Sequence, residues 1–62
     1  MASYRCYFIG RIGEIRLVED IESETAVEAI RIGRQKLADR PHYPALEVWQ
    51  RGRWIHTETR GE

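Results

Sequence analysis

The side chains best suited to catalysis in this sequence are two histidines, His42 and His56, and one cysteine, Cys6. Nucleophilic catalysis needs a nucleophile, a base and an acid within hydrogen-bonding reach of one another. The positions of these three residues along the chain bring no such set together. Cys6 lies in a short run of aromatic and aliphatic residues, where a small buried side chain is expected. The sequence therefore predicts a protein that is not an enzyme.

The polar residues do not have the spacing of a metal or phosphate site either. Glu19, Asp20, Glu22 and Glu24 form an acidic cluster that could bind a cation, but negative charge ahead of a helix also suits the helix dipole. The histidines and the cysteine lack zinc-site spacing. The GRIG segment, residues 10–13, joins two strands, whereas a phosphate loop joins a strand to a helix. We expect no metal and no cofactor.

Length and composition limit the classes of protein that remain. A chain of 62 residues forms one domain with a core of marginal size, so a partner or a dimer would help. Ten basic and ten acidic residues give a net charge of +0, which provides no overall attraction to nucleic acid or to an anionic membrane. We expect a cytoplasmic protein, because a lone cysteine suits a reducing compartment and no segment resembles a signal peptide or a membrane span.

A helix over residues 24–39 is the element that the sequence predicts most clearly. Ser23 is a favoured N-cap, and Thr25 with Glu28 is an alternative capping box, so two starting points stay open. The proline that follows ends the helix, since the residue before a proline avoids helical backbone angles. An apolar stripe of small residues should face a sheet, and it consists of Ala26, Ala29, Ile30, Gly33 and Leu37. Ile32 is expected on the polar side.

Four strands are predicted from runs of β-favouring residues, over residues 3–9, 14–19, 45–50 and 53–58, followed by a polar tail at 58–62. Alternation along the first strand predicts that Tyr4, Cys6 and Phe8 face the core. The order strand, strand, helix, strand, strand indicates an α+β fold, in which a four-stranded antiparallel sheet carries the helix on one face. A right-handed crossover gives the spatial order 2-1-3-4.

The second strand contains a conflict between alternation and charge. Ile15 and Leu17 are expected to face the core, and strict alternation would then bury Glu19 as well. We therefore expect a bulge or the end of the strand at Glu19 and Asp20. Ile21 would then pack beneath the start of the helix, as a hydrophobic staple does.

The second hairpin is predicted to turn at Arg51 and Gly52. In that register Gln50 faces Arg53, Trp49 faces Trp54, Val48 faces Ile55 and Glu47 faces His56. Both tryptophans and His56 would then lie on the face away from the core. Arg51 is not the usual asparagine or aspartate of a two-residue turn, so a longer loop stays an alternative.

The face away from the helix is the predicted functional surface. Its candidate binding residues are Trp49, Trp54, Tyr7, Arg5, Arg16 and His56. Aromatic residues rimmed by charge on an uncovered sheet are typical of a binding surface, which predicts a homodimer or a protein partner. Base stacking on the same residues would make it a single-stranded nucleic-acid surface. Alternatively, the tryptophans only stabilise their hairpin, by up to about 1 kcal/mol.

Four short motifs resemble small uncharacterised proteins of α-proteobacteria. They are YRCYF at residues 4–8, EDIE at 19–22, AVEA at 26–29 and LEVW at 46–49. Those relatives are stand-alone chains of similar size whose pattern is also two strands, a helix and two strands. The resemblance implies a bacterial cytoplasmic protein of the same fold, and it implies no catalytic residues, cofactor or substrate.

Overall fold

The computed structural model describes residues 2–60, which form four strands and one helix. In chain order the elements are β1 (Ala2–Ile9), β2 (Ile15–Ser23), α1 (Ala26–Ala38), β3 (Ala45–Gln50) and β4 (Arg53–Thr59). The strands form a single antiparallel sheet in the order β2-β1-β3-β4, with α1 between β2 and β3 in sequence and packed on one face. The predicted α+β fold and its strand order are confirmed.

The helix begins later than predicted, and the capping-box alternative is the correct one at its N-cap. Thr25 has extended backbone angles, and its hydroxyl accepts a hydrogen bond of 3.1 Å from the Glu28 amide. Ser23 instead ends β2, where its buried hydroxyl donates to the Thr25 carbonyl at 2.6 Å. At the other end, the Asp39 amide donates to the Gln35 carbonyl as the helix closes.

The core lies between α1 and one face of the sheet. Its buried residues are Tyr4, Cys6, Phe8, Ile21, Ala29, Leu37, Leu46 and Val48. Ala29, Gly33 and Leu37 of the predicted stripe are the buried helix positions. A Cβ atom on Gly33 would lie 3.1 Å from Leu46 Cδ2, so Gly33 is the packing contact that the sequence predicts. The prediction for Ile32 was wrong, because this side chain packs against the core from the flank of the stripe.

Glu19 faces the helix side of β2, where the sequence analysis expected a bulge. The strand continues in regular register through Glu19 and Asp20, so that expectation was wrong. Alternation persists because Glu19 has partners: Lys36 Nζ lies 3.0 Å from Oε1, and the Arg40 guanidinium pairs with Oε2. The hydrogen bond from Lys36 and the charges of both cations lower the pKa of Glu19. Ile21, two residues on, is buried in the core as predicted.

The bulge in the first hairpin lies near its turn. Phe8 pairs with Leu17 and Ile9 pairs with Ile15, so Arg16 is the extra residue of β2. Ile15 therefore lies on the face away from the helix and is 57% exposed, whereas alternation predicts it in the core. One inserted residue places every strand position before it on the face opposite to the one that strict alternation predicts.

The second hairpin turns at Arg51 and Gly52 as predicted. Both residues have positive φ, 54° and 74°, which is the signature of a two-residue type I′ turn. Gln50 pairs with Arg53 and Trp49 with Trp54, but the register then shifts, and Val48 pairs with His56 rather than with Ile55. Pairing of Glu47 with Thr57 rather than with His56 follows from the same bulge. The predicted register was therefore wrong beyond the tryptophan pair.

The last described residues attach β4 to the helix. Glu58 Oε1 forms an ion pair with Arg34 Nε of α1 at 3.2 Å and lies 2.9 Å from His56 Nε2. Arg60 donates through Nη2 to the carbonyls of Leu37, Arg40 and Tyr43 at 2.6, 2.8 and 3.0 Å. The predicted polar tail from 58 to 62 was therefore wrong for residues 58–60, and its last two residues lie outside the described chain.

Candidate protein-interaction surface

The sheet face opposite α1, called the outer face below, is a grid of three rows that cross all four strands. The rows run from β2 to β4 and comprise Asp20, Arg5, Trp49 and Trp54; then Val18, Tyr7, Glu47 and Thr57; then Ile15, Ile9, Ala45 and Thr59. Alternation from the buried residues Cys6, Phe8, Leu46 and Val48 places β1 and β3 in this grid. No element of the described chain packs over these rows.

An aromatic pair forms the centre of the outer face. The rings of Tyr7 and Trp49 meet edge to face, with centroids 6.0 Å apart and planes at 86°. Trp49 Nε1 donates to Glu47 Oε1 at 3.0 Å, and Trp54 Nε1 donates to Thr57 Oγ1 at 2.8 Å. Each indole nitrogen therefore has an acceptor within the face, and the aromatic carbons are what the pair offers to a partner.

The outer face carries an ion pair and a separate carboxylate. Arg5 Nε lies 3.6 Å from Asp20 Oδ1, its neighbour across the ladder. The Tyr7 side chain and the Asp20 carboxylate raise the pKa of Arg5, so this guanidinium is held beside the aromatic pair as a permanent cation. Glu47 carries the opposite charge on the next row. The face thus has both signs of charge around an aromatic centre.

Two shallow cavities, each of about 280 Å³, lie against the aromatic pair. The first is lined mainly by polar groups, Ser3, Tyr4, Arg5, Tyr7, Asp20, Trp49, Arg51 and Gly52. The second is more apolar and is lined by Tyr7, Ile15, Glu47, Trp49 and Gly52. Tyr7 and Trp49 belong to both, so the two rings separate a polar hollow from an apolar one.

Large apolar side chains on the outer face reach solvent. Trp54 is 54% exposed and Val18 is 46% exposed, and Ile15 lies on the same face. Removal of such side chains from water is a main favourable contribution to protein association. A continuous apolar patch rimmed by charge is the property that distinguishes a binding surface from scattered exposed residues.

The structure brings together four of the six candidate residues. Tyr7, Trp49, Trp54 and Arg5 are neighbours in the grid. His56 is wrong as a candidate, because the β4 bulge turns it to the helix side beside Glu58.

Arg16 is also separated from the aromatic pair. As the extra residue of the β2 bulge, it lines a different cavity with His42 and Tyr43, and its Nη1 lies 3.3 Å from Glu14 Oε2. Ile15 replaces it on the outer face, which the sequence analysis missed. No sequence signal marks the bulge, because Ile15 and Arg16 both suit a regular strand.

The thiol of Cys6 is buried, and the described residues hold no cluster of metal ligands. Cys6 is fully buried, and burial raises the pKa of its thiol to about 11, so it is not an activated nucleophile. Residues 2–60 contain no cluster of histidine, cysteine and carboxylate side chains that could hold a metal ion. Within the same range, no helix has the length and apolar character needed to cross a membrane.

In comparisons with known proteins, no family model, curated protein or solved structure matches this chain. The resemblance to α-proteobacterial proteins therefore stays a prediction. Inferences about function rest on the residues of the outer face and on their geometry.

Proposed function

We propose that this protein is a non-enzymatic association module whose outer face binds a second copy of the chain. The observation that carries the proposal is the aromatic and aliphatic patch formed by Tyr7, Trp49, Trp54, Val18 and Ile15, which no element of the described chain covers. A domain of 62 residues has a core of marginal size, so covering this patch would stabilise the fold as well as form the assembly.

The outer face is a better association surface than the sheet edges. Edge strands pair with other chains when they are long and regular. Here both edge strands carry a bulge, at Arg16 in β2 and beside Ile55 in β4. Bulges twist the edge and interrupt its ladder of hydrogen bonds. The charges of Asp20 and Glu22 further disfavour pairing along β2.

The charges also favour a protein partner over nucleic acid. Glu47 lies at the centre of the outer face and accepts a hydrogen bond from Trp49. A carboxylate at that position would repel a phosphate backbone. Asp20 neutralises Arg5 on the neighbouring row. A surface with balanced charges around aromatic rings has no net charge repulsion against another surface of the same kind.

The test is molar mass in solution, measured by light scattering over a wide concentration range. We expect the wild-type chain to approach twice its monomer mass as concentration rises, and the Trp49→Thr, Trp54→Thr double variant to stay monomeric with its fold intact. The matched control is Val27→Thr, because Val27 is 78% exposed on the helix. A dimer that survives in the double variant, or a wild-type chain that stays monomeric throughout, contradicts the proposal.

A single-stranded nucleic-acid surface is the second candidate, favoured by the polar cavity that contains Arg5, Arg51, Tyr7 and Trp49. Bases would stack on the rings while the arginines contact phosphates. An oligonucleotide that quenches tryptophan fluorescence, with an affinity that falls steeply as salt is added, would support this candidate. The variant Glu47→Gln would then bind more tightly, because it removes the central negative charge. A cytoplasmic location, in keeping with the unpaired Cys6, is part of either proposal.

A further inference from the structure

The register of the sheet determines which residues of the outer face would meet in a symmetric dimer. We infer that two copies pack outer face to outer face about a two-fold axis that runs parallel to the strands, between β1 and β3. This inference rests on the proposed self-association and adds its geometry. Isologous dimers place the same patch of both copies in contact, so the residues at the centre of the grid need suitable counterparts in the rotated grid.

Rotation about that axis exchanges β1 with β3 and keeps every row in place. Each β1 residue then faces the copy of its own cross-strand neighbour in β3. Arg5 faces Trp49 of the second copy, and Tyr7 faces Glu47 of the second copy. A guanidinium over an indole ring is a favourable cation–π contact, and a phenol donates well to a carboxylate. Glu47 uses Oε1 for Trp49, which leaves Oε2 to accept from the Tyr7 hydroxyl.

The third row is complementary in volume. Ile9 faces Ala45 of the second copy, which sets a large side chain against a small one. Packed sheets lie about 10 Å apart with their inner side chains interdigitated, and such alternation of large and small residues fills that space. All three central pairs therefore match, by charge, by hydrogen bonding and by size.

A two-fold axis that runs across the strands fails the same comparison. Rotation about an axis across the strands, through the middle row, keeps each strand in place and exchanges the outer rows. Glu47 then faces Glu47 of the second copy, and Arg5 faces Ile9. Two like charges brought together in a desolvated interface repel. Charge therefore selects the axis parallel to the strands.

The available area fits a reversible dimer. The described chain measures 31 by 20 Å in its two larger dimensions. Two faces of that outline would together bury roughly 1,200 Å², which is the lower end of the range for specific protein interfaces. We therefore expect a dimer that light scattering detects in concentrated solution.

The experiment uses two single substitutions in the middle row, Val18→Cys and Thr57→Cys. These residues lie on opposite edge strands, so they are far apart within one copy. The proposed axis brings Val18 of one copy against Thr57 of the other, whereas the rejected axis brings each position against itself. A short bismaleimide is added to the two variants separately and then to their mixture, with a size tag on one of them. The wild-type chain is the control, since its one thiol, Cys6, is buried.

We expect the mixture to give a cross-linked pair of tagged and untagged chains in several-fold excess over the products of either variant alone. Self-linked Val18→Cys chains would overturn the axis while leaving self-association standing. Unlinked mixtures at concentrations where light scattering shows a dimer would also overturn it. A chain that stays monomeric in light scattering overturns both proposals, and a dimer indifferent to loss of the tryptophans overturns the use of the outer face.

Discussion

Gly33 lies so close to β3 that a methyl group added to its Cα would come within 3.1 Å of Leu46 Cδ2. The same methyl group would be 3.3 Å from Val48 Cγ2, and both of these side chains are fully buried. The absence of a side chain at position 33 thus sets the distance between helix and sheet. Leu46 and Val48 alternate with Glu47 and Trp49 along β3. The strand that packs against Gly33 therefore also carries the central residues of the outer face.

Replacing Gly33 by alanine should lower the free energy of unfolding by about 1 kcal/mol. Alanine is the better helix former by about 1 kcal/mol, but overpacking of a close-packed core costs about 1–3 kcal/mol. Urea denaturation measures the change, and the difference between Gln35→Ala and Gln35→Gly, at an exposed helix position, gives the propensity contribution alone. If Gly33→Ala stabilises the protein by that same difference, the contact is looser than described.

Replacing Arg60 by alanine should lower the free energy of unfolding by about 2 kcal/mol. Its guanidinium donates to three carbonyls at the end of the helix and in the connection that follows, and charged hydrogen bonds contribute about 1.5–3 kcal/mol. Arg53→Ala, at an exposed position at the start of β4, is the matched control. Equal effects of the two substitutions on the urea midpoint would show that the three hydrogen bonds of Arg60 do not stabilise the fold.

Acid should destabilise the protein partly through Glu19. Its folded-state pKa is lowered below the ordinary value of about 4.3, so its contribution to stability is fully present above that value and is lost as the pH falls through the folded-state pKa. Glu58, whose pKa is lowered by His56 and Arg34, adds to the loss in the same window. The urea midpoint should therefore fall steeply below about pH 4.3.

The variant Glu19→Gln separates this contribution from general acid denaturation. It should be less stable than wild type by about 1 kcal/mol at pH 7, since the pair is only partly exposed, and less sensitive to acid. Glu24→Gln, at an exposed position before the helix, is the control. A Glu19→Gln curve parallel to wild type between pH 7 and pH 3 would exclude the ion pair as the source.

Replacing Arg51 by asparagine should raise the free energy of unfolding by about 0.5–1 kcal/mol. Arg51 has φ of 54°, in the left-handed region where asparagine is tolerated better than residues with long side chains. Thermal denaturation provides the measurement. Arg53→Asn removes the same charge from an ordinary strand position, and a comparable gain there would point to charge instead of backbone strain.

Patterns of alternation were enough to predict the fold, the core of β1 and the tryptophan pair of the second hairpin. They failed wherever one extra residue entered a strand. The bulge at Arg16 moved Ile15 to the outer face, and the bulge beside Ile55 removed His56 from it. Neither bulge has a glycine or proline to indicate it, because classic bulges accept ordinary residues.

The position of Glu19 was unpredictable for a different reason. Burial of a carboxylate is unfavourable without partners, and the sequence alone does not show that Lys36 and Arg40, 17 and 21 residues away, come within reach of it. Alternation was the correct guide there, and the expected cost of charge was misleading. Local patterns give the faces of regular strands, whereas long-range partners decide which polar residues the core side accepts.

The hydrogen bonds that Arg60 donates to the end of α1 also bear on the order of folding. Hydrogen bonds from Arg60 to Leu37 span 23 residues, whereas the first hairpin joins strands that are neighbours in sequence. Local hairpins form within microseconds, and contacts between distant segments form later because closing a longer loop costs more entropy. The last turn of α1 should therefore gain its full protection against hydrogen exchange only when β4 docks. One late step would then complete both the end of the helix and the edge of the sheet.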